Sequence, residues 1–245
     1  MKAMRWLMAA VLLAAAVVLG SPSRAADPVD VALVLVTDVS RSVHDGEFEL
    51  MKQGYAQAFT DKDVLAAIRG GAVGAIAVNY IEFAASYEVK TVVDWMVIRD
   101  EASAQAVVAR LLAAPRSFWG RTSISAGIDL AMKNLAAAGF ETQRQVIDVC
   151  GDGTNNNGRD VQAARDEAVE AGVTVNGLAI INDHPVSWTF AHVQPPGGLA
   201  NYYRENVTGG PGSFVLEIHD FSTFGEAMKR KLLNEIASLG PPARL

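Results

Sequence analysis

Asp38, Ser40 and Ser42 place one carboxylate and two hydroxyls at alternate positions of a short stretch. The same kind of donor returns at Thr122, within Gly120-Arg121-Thr122-Ser123, and at Asp152, within Gly151-Asp152-Gly153-Thr154-Asn155-Asn156-Asn157. Such oxygens suit hard cations, Mg²⁺, Mn²⁺ or Ca²⁺, better than metals that seek sulfur or imidazole. Singly, each piece has an ordinary reading: Ser or Thr before a helix caps it, and Asp-Gly makes a turn. Together, each at a strand-to-helix junction, they read as one cation site built from three loops.

The elements that must position these loops follow from hydrophobic pattern. Val31-Ala32-Leu33-Val34-Leu35-Val36 is apolar on both faces, as a central strand covered on both sides must be, and it runs into Asp38. A helix is expected from Glu47 to Phe59, with Leu50, Tyr55 and Phe59 among its apolar positions. Strands are expected at Val73 to Phe83 and Tyr87 to Trp95, close enough to pair as a hairpin. Asp100 is placed to cap a helix from Glu101 to Ala113. Further helices are expected at Ser123 to Ala138, Asp160 to Ala171 and Phe221 to Ile236. Strands at Gln145 to Cys150, Val173 to Ile181 and Phe214 to Ile218 complete the alternation. This is the pattern of an α/β fold: one doubly wound, mostly parallel sheet with helices on both faces and one antiparallel edge strand. In such sheets ligands bind beyond the carboxyl ends of the strands, near the switch point, where Asp38 and Asp152 fall. One stretch, Asn182 to Ser213, has no periodic pattern; a connection that long tends to be functional. The strand that feeds it is parallel to those ending at Asp38 and Asp152, so it is expected to emerge on their side.

Composition narrows the classes. The chain has 245 residues, half of them hydrophobic, and a formal charge of −6, so it lacks the basic stripe of a nucleic-acid binder. Its one cysteine, Cys150, excludes an internal disulfide and a cysteine-based zinc site, and its place in an apolar strand reads as a buried structural thiol. Residues 1–25 read as an export signal: Lys2 and Arg5, the apolar run Trp6 to Leu19, then small residues at Ser23 and Ala25. The run of 14 residues is short of the roughly 20 that span a bilayer. Cleavage after Ala25 leaves a single domain, residues 26–245, with a charge of −9 and no membrane span, in a bacterial periplasm or outside the cell.

The five donors, on this order of elements, resemble the metal-ion-dependent adhesion site of von Willebrand factor A-like domains. Asp38, Ser40 and Ser42 match that family's Asp-x-Ser-x-Ser, Thr122 its threonine, and Asp152-Gly153 its Asp-Gly turn. The Asp152 loop and the stretch from Tyr202-Tyr203 to Gly212 look closest to an exported bacterial branch without an assigned function. The resemblance implies that Ser40, Ser42 and Thr122 touch the metal, while Asp38 and Asp152 act largely through water. It also implies an open coordination position for an Asp or Glu of a protein or peptide partner. Arg41, Trp119, Arg121 and Asn155 lie near these loops as a candidate rim for that partner, with His44 a third basic group; Phe118 and Trp119 read either as core filling or as an exposed aromatic anchor beside the metal. Two other classes are weaker. A hydrolase would use Asp38 as nucleophile, but phosphatases of the haloacid dehalogenase type carry a second Asp where this chain has Ser40, and Ser125 lacks the Gly-x-Ser-x-Gly frame. A periplasmic small-molecule receptor would need two lobes.

Overall fold

The computed structural model describes residues 27–182 and 195–237; the expected export segment lies outside them. In chain order the elements are β1 (Asp27–Pro28), β2 (Val31–Asp38), α1 (Asp45–Thr60), α2 (Lys62–Arg69), β3 (Ile76–Phe83), β4 (Val89–Ile98), α3 (Glu101–Ala113) and α4 (Ile124–Ala137). There follow β5 (Phe140–Glu141), β6 (Gln145–Gly151), α5 (Val161–Glu170), β7 (Thr174–Ile180), α6 (Leu199–Tyr202), β8 (Val215–Ile218) and α7 (Phe224–Ala237). The main sheet has the order β4-β3-β2-β6-β7-β8, and β1 pairs with β5 in a separate two-stranded ladder. Only β4 runs antiparallel within the main sheet.

β2 is buried along all eight residues because both faces are covered. Val31, Leu33 and Leu35 pack against α1, α2, α3 and α7, where Met51, Tyr55, Phe59, Ile68, Leu111, Phe224 and Leu232 meet them. Ala32, Val34 and Val36 pack against α4 and α5, through Ile124, Ile128, Ala131, Val161 and Ala164. Each Val or Leu so buried contributes roughly 1.5–3 kcal/mol relative to exposure. At Gly127 of α4 a methyl group would stand 2.5 Å from Val36 Cγ1 and 3.1 Å from Phe83, so the helix lies on the sheet only because that position has no side chain.

The sheet's switch point falls between β2 and β6, and the loops beyond their carboxyl ends form the candidate site. Several expectations need correction. The Thr122 loop joins two helices, α3 and α4, rather than a strand and a helix. Antiparallel β4 carries the chain to the far edge and α3 carries it back, so residues 114–123 cross the same edge as Asp38. There Ser123 N donates to Ala84 O at 2.7 Å, and Arg41 N to Gly120 O at 3.0 Å. Helix α2 was not expected; its signals are Asp61, whose Oδ1 accepts from Asp63 N and Val64 N, and the spacing of Val64, Leu65 and Ile68. The second strand begins at Ile76 rather than Val73, and Leu50 is exposed on α1. The stretch before β8 is not structureless: α6 runs into a π-helical turn over Tyr203–Val207, and Leu199, Ala200, Tyr203 and Val207 are buried on the α5 side of the sheet. Residues 183–194 of that stretch lie outside the described residues.

Candidate metal centre

The five sequence-predicted donors come together. Asp38 ends β2, Ser40 and Ser42 follow in the next turn, Thr122 lies just before α4, and Asp152 just after β6. All are buried. Ser42 Oγ donates to Asp152 Oδ1 at 2.8 Å, Ser40 Oγ and Ser42 Oγ are 3.1 Å apart, and Thr122 Oγ1 donates to Ser40 Oγ at 3.1 Å. Ser40 N donates to Asp38 Oδ1 at 2.7 Å, which folds the loop back on its own carboxylate. The ordinary readings are not what these side chains do. Ser123, at the N-cap of α4, makes no side-chain capping bond, and Asp152 reaches a hydroxyl 110 residues away in sequence.

The donor set fits a small divalent cation. Adjacent ligands of an octahedral ion with arms of about 2.1 Å lie about 3 Å apart, and the successive oxygen separations here are 3.1, 3.1 and 2.8 Å. Every donor is a hydroxyl or carboxylate oxygen, and no group of three or more His, Cys, Asp or Glu side chains gathers around a metal position among the described residues. The hydroxyls therefore supply most of the donors, and the local charge comes from two carboxylates.

Sequence reasoning missed the residue that holds the first loop in shape. Arg116 is buried, and its Nη2 donates to Val39 O at 2.8 Å and Ser40 O at 2.9 Å. Its Nε donates to Phe118 O at 2.9 Å, and its Nη1 to Asp45 Oδ1 at 3.0 Å. The guanidinium also lies 5.2 Å from the ring centre of Trp119, which is 57% exposed. One planar five-donor group thus ties the metal loop, the Thr122 loop and the start of α1 together, a task for which lysine lacks the geometry. The only sequence signal was an arginine just after Pro115. Burial pushes the Arg116 pKa down, opposed by Asp45, Asp38 and Glu82, and the group stays charged.

The asparagine run holds the loops to one another. Asn156 N donates to Thr122 O at 2.9 Å while its Oδ1 accepts from Thr122 N at 3.1 Å. Asn157 Oδ1 accepts from Ser86 N, and Asn155 Oδ1 from Ser125 N. Asn155 N donates to Tyr202 Oη at 3.1 Å, which brings the connection before β8 to the site. Through Asn156 this run holds Thr122. Asn155, named as a rim residue, has its amide committed to Ser125 and Arg159. Arg41 and Arg121 are exposed at the same edge, and Tyr87, 84% exposed, tops the neighbouring Ala84–Glu88 turn. Phe118 is half-buried against the core. His44 belongs to α1 rather than to a rim: its Nδ1 accepts from Gly46 N and Glu47 N, and Glu47 returns a bond to His44 N. Glu47 is buried, with its pKa raised chiefly by desolvation and Asp152 adding to the rise, and it accepts from Asn182 at 2.6 Å.

A sheet of this order, with helices on both faces, has the fold of von Willebrand factor A-like domains. Within that class the chain belongs to the family described as protein of unknown function (DUF1194), whose model matches residues 28–240. Comparison with curated proteins finds no match. Among solved structures, the chain is similar to proximal thread matrix protein 1 from the mussel byssus at 17% identity and a TM-score of 0.58, covering 86% of this chain and 48% of that one. A form of the same mussel protein is described as having a zinc-occupied metal-ion-dependent adhesion site motif. A von Willebrand factor type A protein from Catenulispora acidiphila is 13% identical with a TM-score of 0.56, covering 85% of this chain and 43% of its own. The pilus adhesin SpaC from Lactobacillus rhamnosus GG is 15% identical with a TM-score of 0.58, covering 87% and 31%. The chain thus spans less than half the length of each of these proteins, and the likeness is one of fold. No helix among the described residues is long and apolar enough to cross a membrane.

Proposed function

We propose that this chain is an exported binding module, not an enzyme, that recognises an acidic residue of a protein or peptide partner through a divalent cation. Asp38, Ser40, Ser42, Thr122 and Asp152 would hold the cation, Mg²⁺ first, with Mn²⁺ or Ca²⁺ as substitutes. The carrying observation is the run of buried oxygens from Thr122 through Ser40 and Ser42 to Asp152, spaced like octahedral ligands. Asp38 and Asp152 would match the cation's charge largely through water and at a distance, so a partner carboxylate is a favourable additional ligand. The zinc-occupied motif of the mussel protein supports a metal in this position of the fold. The exposed Arg41, Trp119 and Arg121 would form a rim that attracts an acidic segment and anchors its neighbouring side chains, beside the loop held by Asn155. The burial of Asp38 speaks against its use as a hydrolase nucleophile. The apolar run of residues 6–19 supports export as a signal peptide, with residues 26–245 as the mature domain in the periplasm or medium and the connection 182–213 shaping partner choice.

Thermal melting of the mature chain tests the metal half. Mg²⁺ should raise the melting temperature with concentration, by mass action, and EDTA should reverse the rise. The partner half is tested by retention on an immobilised glutamate-rich peptide with Mg²⁺ against EDTA. Melting indifferent to all three cations, or retention unchanged by EDTA, contradicts the reading.

A further inference from the structure

The π-helical turn at Tyr203–Val207 brings a residue under the metal loops that none of the donor motifs contains. The Tyr203 ring is fully buried and crosses two neighbouring strands of the sheet. It fits because both strands carry glycine where it passes. A methyl group on Gly177 of β7 would stand 2.8 Å from Tyr203 Cδ1. One on Gly151 of β6 would stand 2.8 Å from Tyr203 Oη and also 3.0 Å from Asp38 Oδ2, so hydroxyl and carboxylate bracket the same point of the backbone. Tyr203 Oη has no hydrogen-bond partner among the described residues. A buried hydroxyl left unsatisfied is unfavourable, and π-turns recur at functional sites. The neighbouring Tyr202 is already engaged with Asn155 of the Asp152 loop.

We propose that Tyr203 is a positioning residue of the metal centre: its hydroxyl donates to the Asp38 carboxylate when the site is loaded, and so sets the site's affinity for its cation. The connection before β8 thereby becomes part of the centre rather than a cover over it. The inference rests on the metal reading above, and one experiment separates the two. Mn²⁺ binding is measured by calorimetry on wild type and Tyr203→Phe, alongside metal-free melting of both. Tyr203→Phe keeps the ring in its glycine-lined seat and removes only the hydroxyl. The expected result is affinity about tenfold weaker, the scale of one hydrogen bond to a charged group, with metal-free melting unchanged or higher because an unsatisfied buried group is gone. A purely structural role would lower the metal-free melting instead, and that result overturns the proposal. Wild-type affinity in Tyr203→Phe also overturns it while leaving the metal reading standing. Absence of binding to wild type defeats the metal reading and this inference with it.

Discussion

At the scale of single residues, the site separates charge from dipole. Asp38 and Asp152 supply the charge and Thr122 a hydroxyl dipole, so their substitutions should differ in kind. Asp38→Ala or Asp152→Ala should abolish detectable Mg²⁺ binding and leave the fold intact, while Thr122→Ala should weaken binding about tenfold, as loss of one ligand dipole would. Calorimetry on the three variants checks the ranking, which is wrong if Thr122→Ala is the most severe. Arg116 acts through geometry. Arg116→Met removes the donors to Val39 O, Ser40 O and Phe118 O, leaves buried carbonyls unsatisfied, and should destabilise the domain by about 3–5 kcal/mol in denaturant unfolding. Arg116→Lys should recover little of that, because one ammonium cannot reach all these acceptors. That these five side chains would meet was legible in the sequence: short spacing joins Asp38, Ser40 and Ser42, and the order of strands and helices brings the loops of Thr122 and Asp152 to them. Arg116 and Tyr203 were not, because nothing near Pro115 or in the unpatterned stretch before β8 says which loop each will meet.

At the scale of elements, the fold fixes the site by packing helices on both faces of the central strands, α1, α2, α3 and α7 on one and α4 and α5 on the other. α7 is held to β6 by a buried ionic cluster. Lys231 Nζ lies 2.8 Å from Asp148 Oδ1 and 3.0 Å from Glu235 Oε1, and Asn176 Nδ2 of β7 donates to Glu235 Oε1 at 2.9 Å. Lys231→Met would leave two buried carboxylates uncompensated and should cost about 3–5 kcal/mol of stability. Replacing Lys231, Asp148 and Glu235 together with apolar residues of similar volume should recover most of that loss, as urea titration would show. If Lys231→Met alone is neutral, the cluster does not hold the helix. The alternation of strands and helices was legible because period-two and period-3.6 patterns are properties of each segment, and Asp100 capped its helix where expected. The path of the Thr122 loop was not, because it depends on how α3 packs back along the sheet, which no pattern within the helix encodes. Helix α2 was passed over because its eight residues give barely two turns of pattern.

At the scale of the whole molecule, buried acids make stability depend on pH. Desolvation raises the Asp148 pKa from 3.8 to about 7, with Lys231 opposing and Glu235 adding to the rise. Cys150 and Tyr55 complete its buried surroundings, and burial pushes the pKa of both well up, so neither brings a charge at neutral pH. Between 3.8 and about 7 the folded protein holds a proton that the unfolded chain has released. Stability from this group is therefore full on the acid side, declines as pH rises across that window, and is level above it. Glu82 and Glu47, also raised by burial, act in the same direction. Metal-free protein should accordingly melt at a higher temperature at pH 5 than at pH 8, and Asp148→Asn should flatten the difference; an unchanged pH profile in that variant would assign the effect elsewhere.

The central claim is that five side chains from three loops make one cation site. It is tested most directly by titrating the metal-free mature chain with Mn²⁺ in a calorimeter, beside Asp38→Ala. The account predicts saturable binding of one ion per chain by wild type and none by the variant. No binding by wild type at millimolar Mn²⁺, or equal binding by Asp38→Ala, would contradict it.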